Sequence, residues 1–196
     1  MGIDVGGTFT DLIMLNTVDA TVRLAKVPTT MDNQAYGVVA ALQATGAVLA
    51  DLQVIVHGTT TTTNAILERK VAKVGLITTK GFRDSLELGR RTRPKPYGLT
   101  GSFEPLVPRE LRLEVPERMD AEGDVVTPLD NAAVKIAVKE LIDKSCDALV
   151  IHFLHSYINP AHELRALEIA RGLWPNAYLT AGHLILSEYR EYERGT

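Results

Sequence analysis

Apolar residues open the chain in two short runs, residues 2–5 and 10–15, separated by a turn with two adjacent glycines. A third run, residues 21–27, alternates imperfectly and follows the turn-rich stretch 16–20. Three such runs close in sequence predict a β-meander. Helical spacing then takes over between residues 32 and 49, through Ala35, Val38, Val39, Leu42 and Val48. Asp32 or Asn33 can cap that helix by accepting from its free N–H groups. Residues 53–57 predict a short strand ending at Gly58, and residues 59–63, all threonine, a polar loop entering a helix over 64–69. Another strand is expected over 71–79, closed by Lys80-Gly81, with a helical turn or two over 82–89.

Residues 90–128 differ in kind, being rich in proline and arginine and poor in apolar periodicity. Only 111–115 and 125–126 suggest strands, so this segment reads as an irregular surface insertion. Order returns with a helix near 130–144 capped by Asp130, a strand over 148–154, a helix over 160–173 and a strand over 177–180. Helix–strand–helix–strand predicts crossover packing on a sheet. The fold class expected is therefore α/β, a mixed sheet that begins with a β-meander and is flanked by helices, with residues 90–128 as an insertion.

Composition narrows the classes. A hydrophobic share of 45% with 23% charged residues fits a globular protein with a real core, and a net charge of −3 argues against a nucleic-acid partner. No apolar run reaches the roughly 18 residues of a membrane span, and no signal peptide is visible. Cys146, the only cysteine, lacks a neighbouring base and reads as a small buried residue in a reducing, cytoplasmic setting. The short first strand and the charged stretch 188–196 suggest an N-terminal piece of a longer protein.

The densest chemistry lies at Asp4-Val-Gly-Gly-Thr-Phe-Thr-Asp11. Glycines let backbone N–H groups approach phosphate oxygens in a shared concavity. Hydroxyls of Thr8 and Thr10 can add hydrogen bonds, and Asp4 or Asp11 can hold a hydrated Mg²⁺. The spacing is neither a Walker motif nor a dinucleotide fingerprint, because the glycines lead into a strand. A second polar cluster joins His57, Thr59 and Thr60, with Asn64 beside them. Arg83-Asp84 and the run Arg90, Arg91, Arg93 form a cationic group suited to carboxylate or phosphate. His152 and His155 fall on opposite faces of a strand and make a poor metal pair.

Gly2-Ile-Asp-Val-Gly-Gly-Thr-Phe-Thr-Asp11, Val56-His-Gly-Thr-Thr-Thr-Thr-Thr-Asn-Ala-Ile-Leu-Glu-Arg69, Gly75-Leu-Ile-Thr-Thr-Lys-Gly-Phe-Arg-Asp84, Arg90-Arg-Thr-Arg-Pro94 with Tyr97, and Ser187-Glu-Tyr-Arg-Glu-Tyr-Glu-Arg194 together resemble the hydantoinase A/5-oxoprolinase family. The resemblance implies an ATP- and Mg²⁺-dependent enzyme opening a hydantoin- or 5-oxoproline-type cyclic amide. It extends to subunits of acetone- and acetophenone-type carboxylases. It also implies half of a ribonuclease H-like/actin-like ATPase core, with Asp4 placing the metal and Gly6, Gly7 and Thr8 near the nucleotide phosphates. On chemistry alone, Asp11, Arg83, Arg91 and Arg93 join Asp4 as catalytic candidates, and Thr10, His57, Thr59 and Thr60 join the nucleotide-binding ones. No second phosphate motif follows before Thr196, so the rest of the same polypeptide or a partner subunit is expected to complete the site. A non-catalytic nucleotide-sensing module is the remaining alternative.

Overall fold

Strand β1 (Gly2–Val5) turns Ile3 and Val5 into a core and leaves Asp4 exposed on its other face. It lies centrally in a four-stranded sheet, antiparallel to β2 (Phe9–Leu15) and parallel to β4 (Val56–Thr59), with β3 (Val22–Pro28) beyond β2. The first three strands are the expected meander. The parallel β4 needs a crossover, and α1 (Gln34–Thr45) supplies it. Ile3, Val5, Leu12 and Ala41 form the small core of this region. The computed structural model describes residues 1–30, 32–90, 97 and 104–196. Contacts divide the chain into two units, residues 1–71 and 72–196.

Within the first unit one alternative is decided and three expectations shift. Asn33, and not Asp32, caps α1 by accepting from Ala35 N–H at 3.0 Å. That helix stops at Gly46, whose φ of 67° lies in the left-handed region, short of residue 49. Strand β4 begins and ends later than expected, because pairing with β1 sets Gly58 opposite Asp4 and Thr59 opposite Val5. Thr61 to Thr63, expected as loop, form the first turn of α2 (Thr61–Leu67). Their weak helix propensity is offset by local bonds. The Thr59 hydroxyl accepts from Thr61 N–H at 3.3 Å, and the Gln34 amide donates to the Thr61 hydroxyl at 2.9 Å.

The second unit has its own sheet, so the single mixed sheet expected is replaced, among the described residues, by two four-stranded sheets and a two-stranded one. Here β5 (Val74–Thr79) lies between β6 (Arg112–Val115) and β9 (Ala148–His152), with β10 (Leu179–Ala181) outside β9. All the pairings are parallel. Helices α3 (Ser85–Leu88), α4 (Asn131–Asp143) and α5 (Ala161–Arg171) follow the sheet, and β7 (Arg118–Met119) with β8 (Val125–Thr127) forms a hairpin. As expected, Asp130 caps α4, accepting from Ala132 and Ala133. Leu76, Ile77, Val138, Leu141, Ile151, Phe153 and Leu167 lie in the core, with Cys146 among them. Burial raises the Cys146 thiol above its ordinary pKa.

The described part of 90–128 is not a surface insertion. Val107, Leu111, Val115 and Met119 are buried, and β6 is a strand of the central sheet. Arg112 within it is almost fully buried, donating to Arg83 C=O and Glu87 at 2.8 Å each. Both strands suggested by the sequence, 111–115 and 125–126, are present as β6 and β8; what the sequence did not show is that β6 is buried within the sheet, because its first residue is a charged arginine.

The charged end of the chain is also more ordered than its sequence suggested. After α6 (Gly182–Ile185), residues Glu191–Gly195 form α7, and Arg194 is buried. Arg194 donates to Phe153 C=O at 2.7 Å and contacts Ser156 and Glu191. The fully buried Glu163 receives Phe153 N–H at 2.7 Å, the Ser156 hydroxyl at 2.7 Å and His183 N–H at 2.9 Å. Its distance to Arg194 is 3.5 Å. A second buried acid, Glu117, bonds Thr79 and, at 2.8 Å, His162; burial raises its pKa.

Two stability predictions follow from this cluster. Glu163→Ala leaves the buried donors of Phe153, Ser156 and His183 without their acceptor and removes one of the two acidic partners of Arg194, so denaturant unfolding should show a loss of about 3–5 kcal/mol. His152, buried with its Nδ1 unpartnered among the described residues, has a pKa lowered below 6.5 chiefly by desolvation. The unfolded chain therefore takes up that proton first, and stability falls as pH drops below 6.5. His152→Gln should flatten the unfolding free energy against pH across that window.

Candidate functional site

The glycine bend between β1 and β2 is shaped by close approach rather than by unusual dihedrals. Neither Gly6 nor Gly7 is among the glycines with positive φ. A Cβ on Gly6 would sit 3.1 Å from Phe9 C=O, and one on Gly7 would sit 3.5 Å from the Asn64 amide nitrogen. Gly6 N–H donates to Phe9 C=O at 3.0 Å, closing the bend. Among the described residues, the N–H groups of Gly7 and Thr8 have no protein acceptor, and the exposed Thr8 hydroxyl has no partner.

Because β1 and β4 run parallel, their carboxyl ends deliver two loops side by side. Thr60 N–H and the Thr59 hydroxyl both donate to Val5 C=O, each at 3.2 Å. The Thr59 hydroxyl also lies 3.0 Å from that of Thr61, so its capacity is spent within the protein. Thr60 is exposed, and its hydroxyl accepts from Asn64 at 3.3 Å. Asn64 thus joins the two loops, touching Thr60 and facing Gly7.

Asp4 and Asp11 are cross-strand partners, so their carboxylates share one face of the sheet. That face is a shallow concavity of about 710 Å³, lined among others by Ile13, Leu24, Lys26 and Val56. Lys26 Nζ lies 3.1 and 3.2 Å from the two Asp11 oxygens. Asp4 has no such partner among the described residues. Gly58 keeps its flank open, since a Cβ there would sit 3.8 Å from Asp4 Oδ1.

Each of the other expected site residues has its own setting. Thr10 is fully buried and its hydroxyl is 3.1 Å from that of Thr29, so it faces the interior rather than a ligand. His57 pairs with Ile3 in the sheet, on the face opposite Asp4. Arg83 belongs to the second unit, 4.0 Å from Glu114. Asp84 is held by Arg109 at 2.9 and 3.1 Å, which lowers its pKa below the usual carboxylate range. Arg90 pairs with Glu193. Arg91 and Arg93 lie outside the described residues. Among the described residues, no group of three or more acidic, histidine or cysteine side chains is arranged to hold a metal ion.

Sequence reasoning passed over Thr29, Glu163 and Arg194. Thr29 sits after the third strand with no motif around it, and Glu163 looks like an ordinary acid in the first turn of a helix. Arg194 alone carried a signal, through the stretch 187–194.

Residues 1–173 match the model of the hydantoinase/oxoprolinase N-terminal region. The chain is 35% identical to the caprolactamase subunit alpha of Pseudomonas jessenii over 99% of its own length and 29% of that subunit. It is 34% identical to the acetophenone carboxylase gamma subunit of Aromatoleum aromaticum, over 98% of the chain and 29% of that protein. The nucleotide-free structure of acetone carboxylase superposes with a TM-score of 0.83 at 31% identity, covering 98% of this chain and 30% of that one. The crystal structure of the ATP-dependent caprolactamase from Pseudomonas jessenii gives 0.79 at 33% identity, covering 98% and 29%. The chain thus spans under a third of the relatives it matches.

Proposed function

The chain belongs to the hydantoinase/oxoprolinase family, and from that premise we propose that it is the phosphate-holding part of an ATP-dependent enzyme that opens a cyclic amide. The observation that carries this reading is that, among the described residues, the N–H groups of Gly7 and Thr8 have no acceptor and the Asp4 carboxylate, on the strand leading into the same bend, has no partner. These residues fit the group: two backbone donors and a free hydroxyl suit phosphate oxygens, and a lone carboxylate suits a hydrated Mg²⁺. ATP, when bound, would supply the phosphoryl group that turns the amide carbonyl oxygen into a leaving group.

The chain's own work is positioning and charge compensation. Gly7 and Thr8 would donate to the terminal phosphates, and Asp4 would help hold Mg²⁺. Thr60 and Asn64, on the adjoining loop, would border the same space. Lys26 restrains Asp11, so Asp11 supports the local charge balance rather than competing for the metal. Arg83, Arg91 and Arg93 remain candidates for neutralising the phosphoryl or substrate charge. Further chain of the same polypeptide or a partner subunit would complete the site. A ketone carboxylase is the second reading, favoured by the likeness to acetone carboxylase.

The test is phosphate release by the full-length protein with ATP and, separately, hydantoin, 5-oxoproline, caprolactam, or acetone with bicarbonate. A cyclic amide should stimulate release, and Gly7→Val should reduce kcat/KM at least about 100-fold while the fold persists. Stimulation by acetone with bicarbonate alone would favour the second reading. Turnover near wild type in Gly7→Val would remove the bend from the site.

A further inference from the structure

We propose that Thr29 is the positioning residue of the glycine bend, its hydroxyl holding the Gly7 N–H in the orientation that receives phosphate. This rests on the reading of the bend as a phosphate holder. Thr29 grips the bend on both sides of Gly7: its N–H donates to Thr8 C=O at 2.9 Å, and its hydroxyl donates to Gly6 C=O at 2.9 Å. The second bond decides the orientation. A trans peptide is planar, with its C=O and N–H pointing in opposite directions. Anchoring Gly6 C=O on Thr29 therefore turns Gly7 N–H away from Thr29, and that N–H has no acceptor among the described residues.

The proton order is fixed by what each hydroxyl can give. Thr29 has one hydroxyl proton and spends it on Gly6 C=O, so at 3.1 Å it accepts from Thr10. Thr10 is fully buried, which explains a threonine facing inward at a position read from sequence as a ligand donor. Behind it stands α1, where a Cβ on Gly37 would fall 2.9 Å from the Thr10 hydroxyl. The line Gly37, Thr10, Thr29, Gly6 thus runs from helix to bend without a gap.

A merely structural threonine would stabilise the fold without setting ligand affinity, and the serine variant separates the two. In the full-length protein, calorimetry with a non-hydrolysable ATP analogue and Mg²⁺ compares Thr29→Val, which keeps the shape and loses the hydroxyl, with Thr29→Ser, which keeps the hydroxyl. The proposal expects Kd to rise about tenfold in Thr29→Val and to stay within about twofold in Thr29→Ser. Wild-type affinity in Thr29→Val, or equal weakening in both variants, overturns it. Should Thr29→Val not fold, Thr10→Val decides: it removes the donor to Thr29 and should weaken the analogue severalfold, whereas unchanged affinity overturns the proposal. Gly7→Val in the same assay tests the underlying reading. If it binds normally, the bend is not the phosphate holder and the proposal falls with it. If only Gly7→Val weakens binding, the reading stands and Thr29 is acquitted.

Discussion

The first unit depends on one backbone constraint: three carbonyls at the glycine bend are occupied from inside, while two amides are not. Thr29 takes the carbonyls of Gly6 and Thr8, and Gly6 N–H closes on Phe9 C=O. Peptide planarity then makes the outward direction of Gly7 N–H a consequence of inward bonding. An unsatisfied N–H is costly when buried and tolerable at the surface, where water or an anion can reach it. On the proposed reading, a bend built this way is prepared for an anionic ligand before that ligand arrives, and preorganisation of this kind lowers the cost of binding.

The parallel pairing of β1 with β4 extends that constraint to a second loop. Register sets Gly58 against Asp4 and Thr59 against Val5, so the end of β4 leaves the carboxylate uncovered and the residues that follow it bring Thr60 and Asn64 to the bend. Ligands of α/β proteins commonly lie beyond the carboxyl ends of parallel strands. The second unit uses a different economy of charge. Glu163 and Arg194 are buried together, and the donors of Phe153, Ser156 and His183 satisfy the remaining lone pairs. Such pairs contribute little net stability, yet removing one member is expensive.

How far the sequence was legible follows from which forces were local. The meander, the capping of α4 by Asp130 and the strand–helix–strand order were visible because turn residues, caps and periodicity are short-range signals. The start of β4 was misplaced because strand register is decided by a partner more than fifty residues away. Arg112 concealed the burial of a strand that was otherwise legible, and Arg194 concealed α7, since a buried charge looks in sequence like a solvated one. Asp4, Gly6, Gly7 and Thr8 were singled out by motif chemistry, and the structure puts them on one strand and the bend that follows it. Thr10 carried the right residue type but its hydroxyl points inward, and Thr29 became visible only once two carbonyls were seen to meet it.

The most direct measurement is a crystal structure of the full-length protein with a non-hydrolysable ATP analogue and Mg²⁺. The account predicts phosphate oxygens within hydrogen-bond reach of Gly7 and Thr8 nitrogens, about 2.7–3.2 Å, with the metal on the Asp4 side. A nucleotide seated elsewhere, with both amides facing only solvent, would contradict it.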